Sequence, residues 1–232
     1  MMHSLPDNFR ACVIGATGAI GSAFLAQLQA DPRCHTVLSL HRGSSPGIDL
    51  ANEDSIAVTA DTLRELGPFH LIIHAAGILH NDHFMPEKKL ADLHFSQMQE
   101  TFMVNTFGPA IVIKHFSKLL DKQRGVLAIL SAKVGSIEDN RLGGWYSYRA
   151  SKAALNMLIK TAAIELKRTQ PNTVVVALHP GTVSSGLSKP FRGAEIGRPA
   201  TQAASEMLAV LDRLHADDTG SFVTYSGERL PW

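Results

Sequence analysis

The chain has 232 residues, of which 45% are hydrophobic and 19% are charged, and its formal net charge is +1 from 22 basic and 21 acidic residues. This length suits an α/β domain, and the near-neutral charge does not favour a nucleic-acid partner, which usually requires a clustered basic excess. No run approaches the ~20 apolar residues of a membrane helix, and the polar N-terminus is unlike a signal peptide. The chain also has only two cysteines. For these reasons we expect a cytoplasmic protein with no membrane partner.

Short apolar segments alternate with segments of helical periodicity along the chain. The predicted strands are Ala11–Ile14, Val37–Leu40, Ile48–Leu50, His70–His74, Val126–Leu130, Thr173–Leu178 and Ser221–Tyr225. The predicted helices are Ile20–Ala30, Asp54–Leu66, Leu93–Leu120 with a kink or break at Pro109, Ser147–Arg168 and Glu206–His215. This alternation predicts one domain, residues 1–232, with a Rossmann-type doubly wound parallel sheet of about seven strands. Residues 184–200 lack clear periodicity, and a loop of this length predicts a substrate lid.

A glycine-rich turn joins the first predicted strand to the first helix, with three glycines in a GxxGxxG spacing. Glycines at such a junction let the backbone approach a pyrophosphate, and the free N–H groups at the helix start then face the anion. A tight turn without a ligand is the alternative that the spacing alone leaves open. The residues expected to contact a dinucleotide here are Gly15, Thr17, Gly18, Ala19, Ile20 and Gly21.

The end of the second predicted strand indicates which dinucleotide would bind. An acidic residue at this point favours NAD, whereas an arginine suits the 2′-phosphate of NADP. The chain has no acidic residue between Leu40 and Ser44, and Arg42 offers a planar fork for a phosphate. We therefore expect NADP(H) rather than NAD(H), with a solvated loop arginine as the alternative.

Tyr148 and Lys152 lie four residues apart at the start of a predicted helix, so their side chains project from one face. A nearby ammonium stabilises a phenolate and lowers the pKa of the tyrosine. Such a tyrosine can protonate a carbonyl oxygen as hydride arrives, or deprotonate an alcohol in the reverse direction. An incidental pair at an exposed helix end is the alternative.

Together these residues resemble the short-chain dehydrogenases/reductases over essentially the whole chain, with the motifs in the family's order. The resemblance implies that Tyr148 and Lys152 are the active-site pair and that Asn105 holds a water in the proton relay. It also implies that these three residues contact the cofactor. It assigns further cofactor contacts to Asp49, Leu50, Ala75, Ala76, Gly77, Pro180, Gly181, Val183 and Ser185. The segments before Tyr148 and at the C-terminus look most like the C-factor/sniffer-type branch, which contains NADPH-dependent carbonyl reductases and a protein of intercellular signalling. Homodimers or homotetramers are usual in the family.

The chain departs from the family's pattern at several positions. Ala19 replaces the middle glycine of the cofactor turn, and His74 replaces the asparagine of the motif after the fourth predicted strand. Ala132 occupies the position of the catalytic serine, which leaves Ser131, or Ser136 on the following loop, as its substitute. Loss of an oriented donor to a developing oxyanion costs on the order of 10²–10³ in rate.

The leading hypothesis is an NADP(H)-dependent oxidoreductase that acts on a small carbonyl compound or the corresponding alcohol. Ala132 at the catalytic position leaves a second class of function open: a dinucleotide-binding regulatory or signalling protein with little turnover. A sugar-nucleotide epimerase or dehydratase is a weaker third hypothesis, because the chain is too short for an added substrate domain. We expect no metal site, since the clustered histidines 70 and 74 stand at opposite ends of one strand.

Overall fold

The computed structural model describes residues 1–232, which form one six-stranded parallel sheet. The strands are Phe9–Ile14 (β1), Cys34–Leu40 (β2), Leu71–His74 (β3), Val126–Leu130 (β4), Val174–His179 (β5) and Phe222–Thr224 (β6). Their spatial order is β2-β1-β3-β4-β5-β6. The direction of winding therefore reverses between β1 and β3, and ligands of such sheets bind in the crevice at the carboxyl ends of the strands at this point.

Helices cover both faces of the sheet. They are Ala19–Ala30 (α1), Glu53–Leu63 (α2), Phe95–Phe102 (α3), Gly108–Phe116 (α4), Tyr146–Thr169 (α5), Gly193–Ile196 (α6) and Ala200–Arg213 (α7). One hydrophobic core lies between the sheet and α1 with α7, and the other lies between the sheet and α2, α4 and α5. Because both faces are covered, central strands such as β4 are buried along their whole length and are apolar at every position. None of these helices combines the length and the apolar character that crossing a membrane requires.

The predicted strand Ile48–Leu50 is wrong, and the sheet has six strands rather than about seven. Ile48 is buried, which accounts for the apolar signal, but its backbone N–H bonds back to the carbonyl of His41. The backbone N–H of Asp49 bonds to the hydroxyl of Ser55 at the start of α2. With these donors used locally, the segment folds as a turn into α2 instead of pairing with β2.

The helix predicted over Leu93–Leu120, with a kink or break at Pro109, is divided in the structure, but the division lies before Pro109. A π-helical turn, Met103–Phe107, lies between α3 and α4, and the N–H of Gly108 bonds to the carbonyl of Met103. Pro109 lacks an N–H and stands in the first turn of α4, where no intrahelical donor is needed. The extra residue of a π turn rotates the following side chains, and such turns are frequent at functional sites.

Two further boundaries differ from the prediction. Helix α7 begins at Ala200, six residues before the predicted start at Glu206. The lid segment 184–200 is not wholly irregular, because it contains a short 3₁₀ turn, Lys189–Phe191, and the single-turn helix α6. These elements are too short for periodicity in the sequence to show them.

Candidate active site

The turn between β1 and α1 fits a pyrophosphate. Gly15 has a positive φ of 82°, and a Cβ at this residue would lie 2.7 Å from the backbone nitrogen of Ala76. Only glycine therefore lets the carboxyl ends of β1 and β3 approach this closely. Helix α1 starts at the turn without a side-chain cap or an acidic residue, so its first N–H groups are free for an anion. Ala19, which replaces the middle glycine of the turn, is exposed.

The structure also brings the predicted adenosine-side residues to the end of β2. Arg42 is exposed, and its guanidinium forms no hydrogen bond or ion pair within the chain. The hydroxyl of Ser44 is used in the turn itself, where it accepts a hydrogen bond from the N–H of His41 at 2.9 Å. Asp49 is exposed and uses one carboxylate oxygen to accept from the N–H of Ala51. A free cation thus stands where a 2′-phosphate would be recognised.

Tyr148 and Lys152 project from one face of the first turns of α5, as the spacing predicted. The Lys152 Nζ atom lies 5.9 Å from the centroid of the Tyr148 ring and donates to the carbonyl of Leu130, at the end of β4, at 3.1 Å. Only 9% of Tyr148 and 4% of Lys152 are exposed, and the phenol oxygen has no hydrogen-bond partner within the chain. The hydroxyl is therefore available to another molecule.

Burial dominates the proton affinities of this pair. It raises the pKa of Tyr148 to about 12 and lowers the pKa of Lys152 to about 8. In this structure the pKa of Tyr148 is thus raised rather than lowered, because the loss of hydration outweighs any stabilisation of the phenolate by Lys152, and the predicted relay between the two residues stays a prediction. At neutral pH the phenol is a protonated hydrogen-bond donor and the lysine is mostly an ammonium.

Asn105 lies in the π turn and reaches the same region. Its Oδ1 accepts from the N–H of Ile78 and its Nδ2 donates to the carbonyl of Ile78, both at 2.8 Å. Gly77 sits between this side chain and the lysine: a Cβ at Gly77 would lie 3.1 Å from Oδ1 of Asn105 and 3.5 Å from Nζ of Lys152. The loop after β3 and helix α5 are thus joined through one asparagine.

The two serines considered as substitutes at the catalytic position are engaged elsewhere. The hydroxyl of Ser131 donates to Oδ1 of Asn156, one turn beyond Lys152, at 2.6 Å, and Ser131 is buried. The hydroxyl of Ser136 donates to the carbonyl of the C-terminal Trp232 and accepts from the N–H of Asp139. Neither hydroxyl contacts Tyr148, and the role of Ser131 as the substrate-orienting serine stays a prediction.

Glu87 was missed from the sequence, although it fixes the start of α5. Its carboxylate is 2% exposed and accepts hydrogen bonds from the N–H and the hydroxyl of Ser147. Its backbone carbonyl accepts from the N–H of Trp145 at 2.5 Å, and Trp145 has a positive φ of 52°. Glu87 and Ser147 are 60 residues apart, so no local pattern could find this contact. The glycines at 143 and 144 do signal an unusual turn.

Segment 184–200, the predicted lid, packs against the start of α5 through aromatic rings. The ring of Phe191 lies 4.9 Å from that of Trp145, which in turn lies 6.2 Å from the ring of Tyr148. His80, in the loop after β3, contacts Phe191 edge-on at 5.8 Å and reaches the carbonyl of Leu187 at 3.2 Å. These rings join the loop after β3 and segment 184–200 to Trp145, which in turn contacts Tyr148.

The predicted cofactor-contacting residues after β5 lie just before segment 184–200 and at its start. A Cβ at Gly181 would lie 2.8 Å from the Tyr225 ring, and Gly181 has a positive φ of 73°. The carbonyl of Pro180 accepts from Arg198, whose guanidinium stacks 3.5 Å from the centroid of that same ring. Val183 is buried, and the hydroxyl of Ser185 is paired with that of Ser188 at 3.1 Å.

The fold and this arrangement define the class of the protein: a doubly wound α/β domain with a glycine-rich turn and a tyrosine–lysine pair at the same sheet edge. Residues 45–195 match the family described as short chain dehydrogenase. The 1-hydroxy-2-glutathionyl-2-methyl-3-butene dehydrogenase of Rhodococcus sp. (strain AD45) is 32% identical over 188 residues, which cover 81% of this chain and 79% of that protein. C-signal of Myxococcus xanthus is 34% identical over 146 residues, which cover 62% of this chain and 83% of that protein.

The chain belongs to the short-chain dehydrogenase family, and the resemblance seen in the sequence is confirmed. Two solved structures share its fold. The NADPH-bound carbonyl reductase from chicken fatty liver has a TM-score of 0.84 at 23% identity, with 100% of this chain and 96% of that chain covered. The carbonyl reductase Sniffer of D. melanogaster has a TM-score of 0.84 at 21% identity, with 97% and 99% covered.

Proposed function

We propose that this chain is an NADP(H)-dependent oxidoreductase that reduces a small carbonyl compound or oxidises the corresponding alcohol. The observation that carries the proposal is the buried, unpartnered phenol of Tyr148 beside Lys152, at the sheet edge where the glycine turn also lies. When bound there, NADPH would supply the hydride. The protein would contribute binding, orientation and the proton.

Each residue has a distinct role in this proposal. Tyr148 donates its proton to the substrate oxygen, and its high pKa favours the protonated form that reduction requires. Lys152 provides a positive charge beside the phenol and an N–H donor for the ribose, and Asn105 supports a water of the proton relay. Ser131 remains the proposed substrate-orienting hydroxyl, which requires that it leave Asn156 when substrate binds.

Cofactor recognition is divided among three parts of the chain. The pyrophosphate would meet the start of α1 through Gly15, Thr17, Gly18, Ala19, Ile20 and Gly21. The adenosine would meet Arg42, Asp49 and Leu50, and the free guanidinium of Arg42 supports NADP(H) over NAD(H). The nicotinamide end would meet Ala75, Ala76, Gly77, Pro180, Gly181, Val183 and Ser185. Solved proteins that share this fold include NADP-bound members, which agrees with this choice.

The proposal includes assembly as a homodimer or homotetramer. Helix α5 exposes apolar side chains along its outer face, including Met157 at 67% and Ile164 at 52%. A second copy of the chain would remove them from water. Light scattering coupled to size-exclusion chromatography gives the mass directly, and a mass of one chain at micromolar concentration would rule out this part.

The test of the proposed activity is steady-state oxidation of NADPH with a panel of aldehydes and diketones. Wild type is expected to turn over at least one of them, and Tyr148→Phe is expected to abolish turnover with an unchanged dissociation constant for NADPH, because the phenol acts on the substrate. Tyr146→Phe is the matched control, since its side chain has no lysine one turn further on. Unchanged turnover in Tyr148→Phe would remove this residue from the mechanism.

A second function has specific support: a dinucleotide-binding regulatory or signalling protein with little turnover. Ala132 stands where the resemblance places the catalytic serine, and C-signal is a relative of the chain. Tight NADPH binding together with no oxidation of NADPH by any carbonyl of the panel would favour this function over the first.

A further inference from the structure

His74 is buried at the end of β3 without a hydrogen bond to either ring nitrogen. Burial, followed by the charge of Lys152, lowers the pKa of His74 to about 3, so the ring is neutral at working pH. A neutral imidazole has one donor and one acceptor nitrogen, and leaving such groups buried without partners costs about 1–3 kcal/mol each. An unpaired ring of this kind therefore indicates a partner that the protein chain does not itself provide.

The unpaired ring lies on the same side of the sheet as Lys152. His74 pairs in register with Ile14 and Ile129, and these isoleucines belong to the core that also contains Leu155 of α5. The ammonium of Lys152 donates a hydrogen bond to the carbonyl of Leu130. Leu130 directly follows Ile129, the register partner of His74 on β4. The ammonium is also close to Gly77, three residues after His74. The imidazole and the ammonium thus share one buried region.

A second unpaired group lies on the same face of α5 as Lys152. Asn156 is one helical turn beyond Lys152, and its Oδ1 accepts from Ser131, but its Nδ2 is buried without a partner. The chain therefore presents an ammonium with N–H groups to spare, an unpaired amide donor and an unpaired imidazole acceptor. One water molecule can accept from the two donors and donate to the acceptor, and buried waters typically make about three such hydrogen bonds.

We propose that His74 is a positioning residue for Lys152, acting through a buried water that accepts hydrogen bonds from Lys152 and Asn156 and donates one to the His74 ring. The water holds the ammonium at the inner end of the tyrosine–lysine pair. It also stabilises the charged form of the lysine, which opposes the effect of burial. In this chain histidine thereby acquires a role at a position where the family's motif has an asparagine.

Other titratable groups around Lys152 do not provide this stabilisation. Tyr148, on the same helix, is neutral because of its high pKa, and His179 of β5, whose pKa burial lowers to about 4, is neutral as well. Lys133, after β4, carries a charge of the same sign and pairs with Asp139 at 3.6 Å. Glu87 is occupied by Ser147 at the start of α5. Burial lowers the pKa of Lys152. The hydrogen bond to the proposed water opposes this effect, and it is the interaction that a variant can remove.

The first experiment measures the Lys152 ammonium directly, by ¹⁵N NMR titration of protein labelled at lysine, with the signal assigned by its loss in Lys152→Met. His74→Leu removes the acceptor at similar volume and is expected to lower the pKa of Lys152 by about one unit, the effect of one hydrogen bond to a charged group. His74→Gln keeps an acceptor and is expected to restore the wild-type value. His115→Leu is the matched control, because His115 also has a buried unpaired nitrogen but lies beside Glu53 of α2.

The second experiment is the pH profile of kcat/KM for NADPH-dependent reduction, and only this arm rests on the proposed function. The ammonium form would be lost at lower pH in His74→Leu, so the alkaline limb is expected to move down by about one pH unit and to return in His74→Gln. If no carbonyl is reduced, the proposed function fails while the NMR titration still decides the role of His74.

Two results would overturn the inference. One is a pKa of Lys152 in His74→Leu within about 0.3 units of the wild-type value, well below the effect of a hydrogen bond to a charge. The other, which needs no variant and so holds if His74→Leu does not fold, is a high-resolution crystal structure of the wild-type protein with no water between His74 and Lys152. Density for that water, bonded to both side chains, would support the inference.

Discussion

Replacing Glu87 by glutamine tests how the start of helix α5 is held. In the structure both carboxylate oxygens accept from Ser147, one from its N–H at 3.2 Å and the other from its hydroxyl. Glutamine has nearly the same volume, but it offers one acceptor oxygen and places an NH₂ group against a donor. The change therefore removes a buried charge from the N-terminus of a 24-residue helix without removing bulk.

The expected loss of stability follows from these contacts. A hydrogen bond to a charged group contributes about 1 kcal/mol more than a neutral one, and there are two of them here. A negative charge at a helix N-terminus adds roughly 0.5–1 kcal/mol. The free energy of unfolding should therefore fall by about 2–3 kcal/mol, which for a domain of this size lowers Tm by roughly 5–10 °C.

Thermal and urea denaturation of Glu87→Gln measure this loss, and Glu165→Gln is the matched control. Glu165 lies on the same helix but is exposed and has no ion-pair partner. Its substitution is expected to change the free energy of unfolding by less than about 0.5 kcal/mol. If Glu87→Gln lowered Tm no more than Glu165→Gln does, Glu87 would not anchor α5, and the account of how Tyr148 is positioned would be wrong.

Two further substitutions test the cofactor and the catalytic position. Arg42→Ala should raise the dissociation constant of NADPH by roughly 10- to 100-fold, the value of a charge-assisted phosphate contact, and leave that of NADH unchanged. Calorimetric titrations measure both constants, and Arg141→Ala, at an exposed position, is the control. Equal effects of Arg42→Ala on both dinucleotides would argue against a 2′-phosphate contact. Ala132→Ser should raise kcat for reduction by up to about 10²-fold, because it restores a hydrogen-bond donor to the developing oxyanion. Equal values of kcat in wild type and variant would show that another group already fills this role.

Most strands were predictable because a covered parallel sheet requires apolar residues at every position. The predicted C-terminal ends at Ile14, Leu40 and His74 agree with the structure, although the edge strand β2 is only partly buried and includes polar residues. The false strand at Ile48 shows the limit of this signal: a single buried apolar residue in a turn produces the same pattern as a short strand. The π turn before Gly108 adds one residue to a helix, which periodicity does not resolve.

The candidate site was predictable where it depends on local spacing and not where it depends on burial or distant contacts. The spacing of Tyr148 and Lys152 required only a helix, and the helix is present. The direction of the pKa shift of Tyr148 depends on how deeply the ring is buried in the folded chain, which local sequence does not specify. The contacts of Glu87 with α5 and of Phe191 with Trp145 join segments far apart in the chain.

The most direct test of the central claim is a crystal structure of the chain with NADPH bound. We expect the pyrophosphate at the start of α1, the 2′-phosphate against Arg42 and the nicotinamide beside Tyr148, with room for one substrate oxygen between the phenol and the reactive carbon. A nicotinamide bound away from Tyr148, or a protein that takes up no NADPH at millimolar concentration, would contradict it.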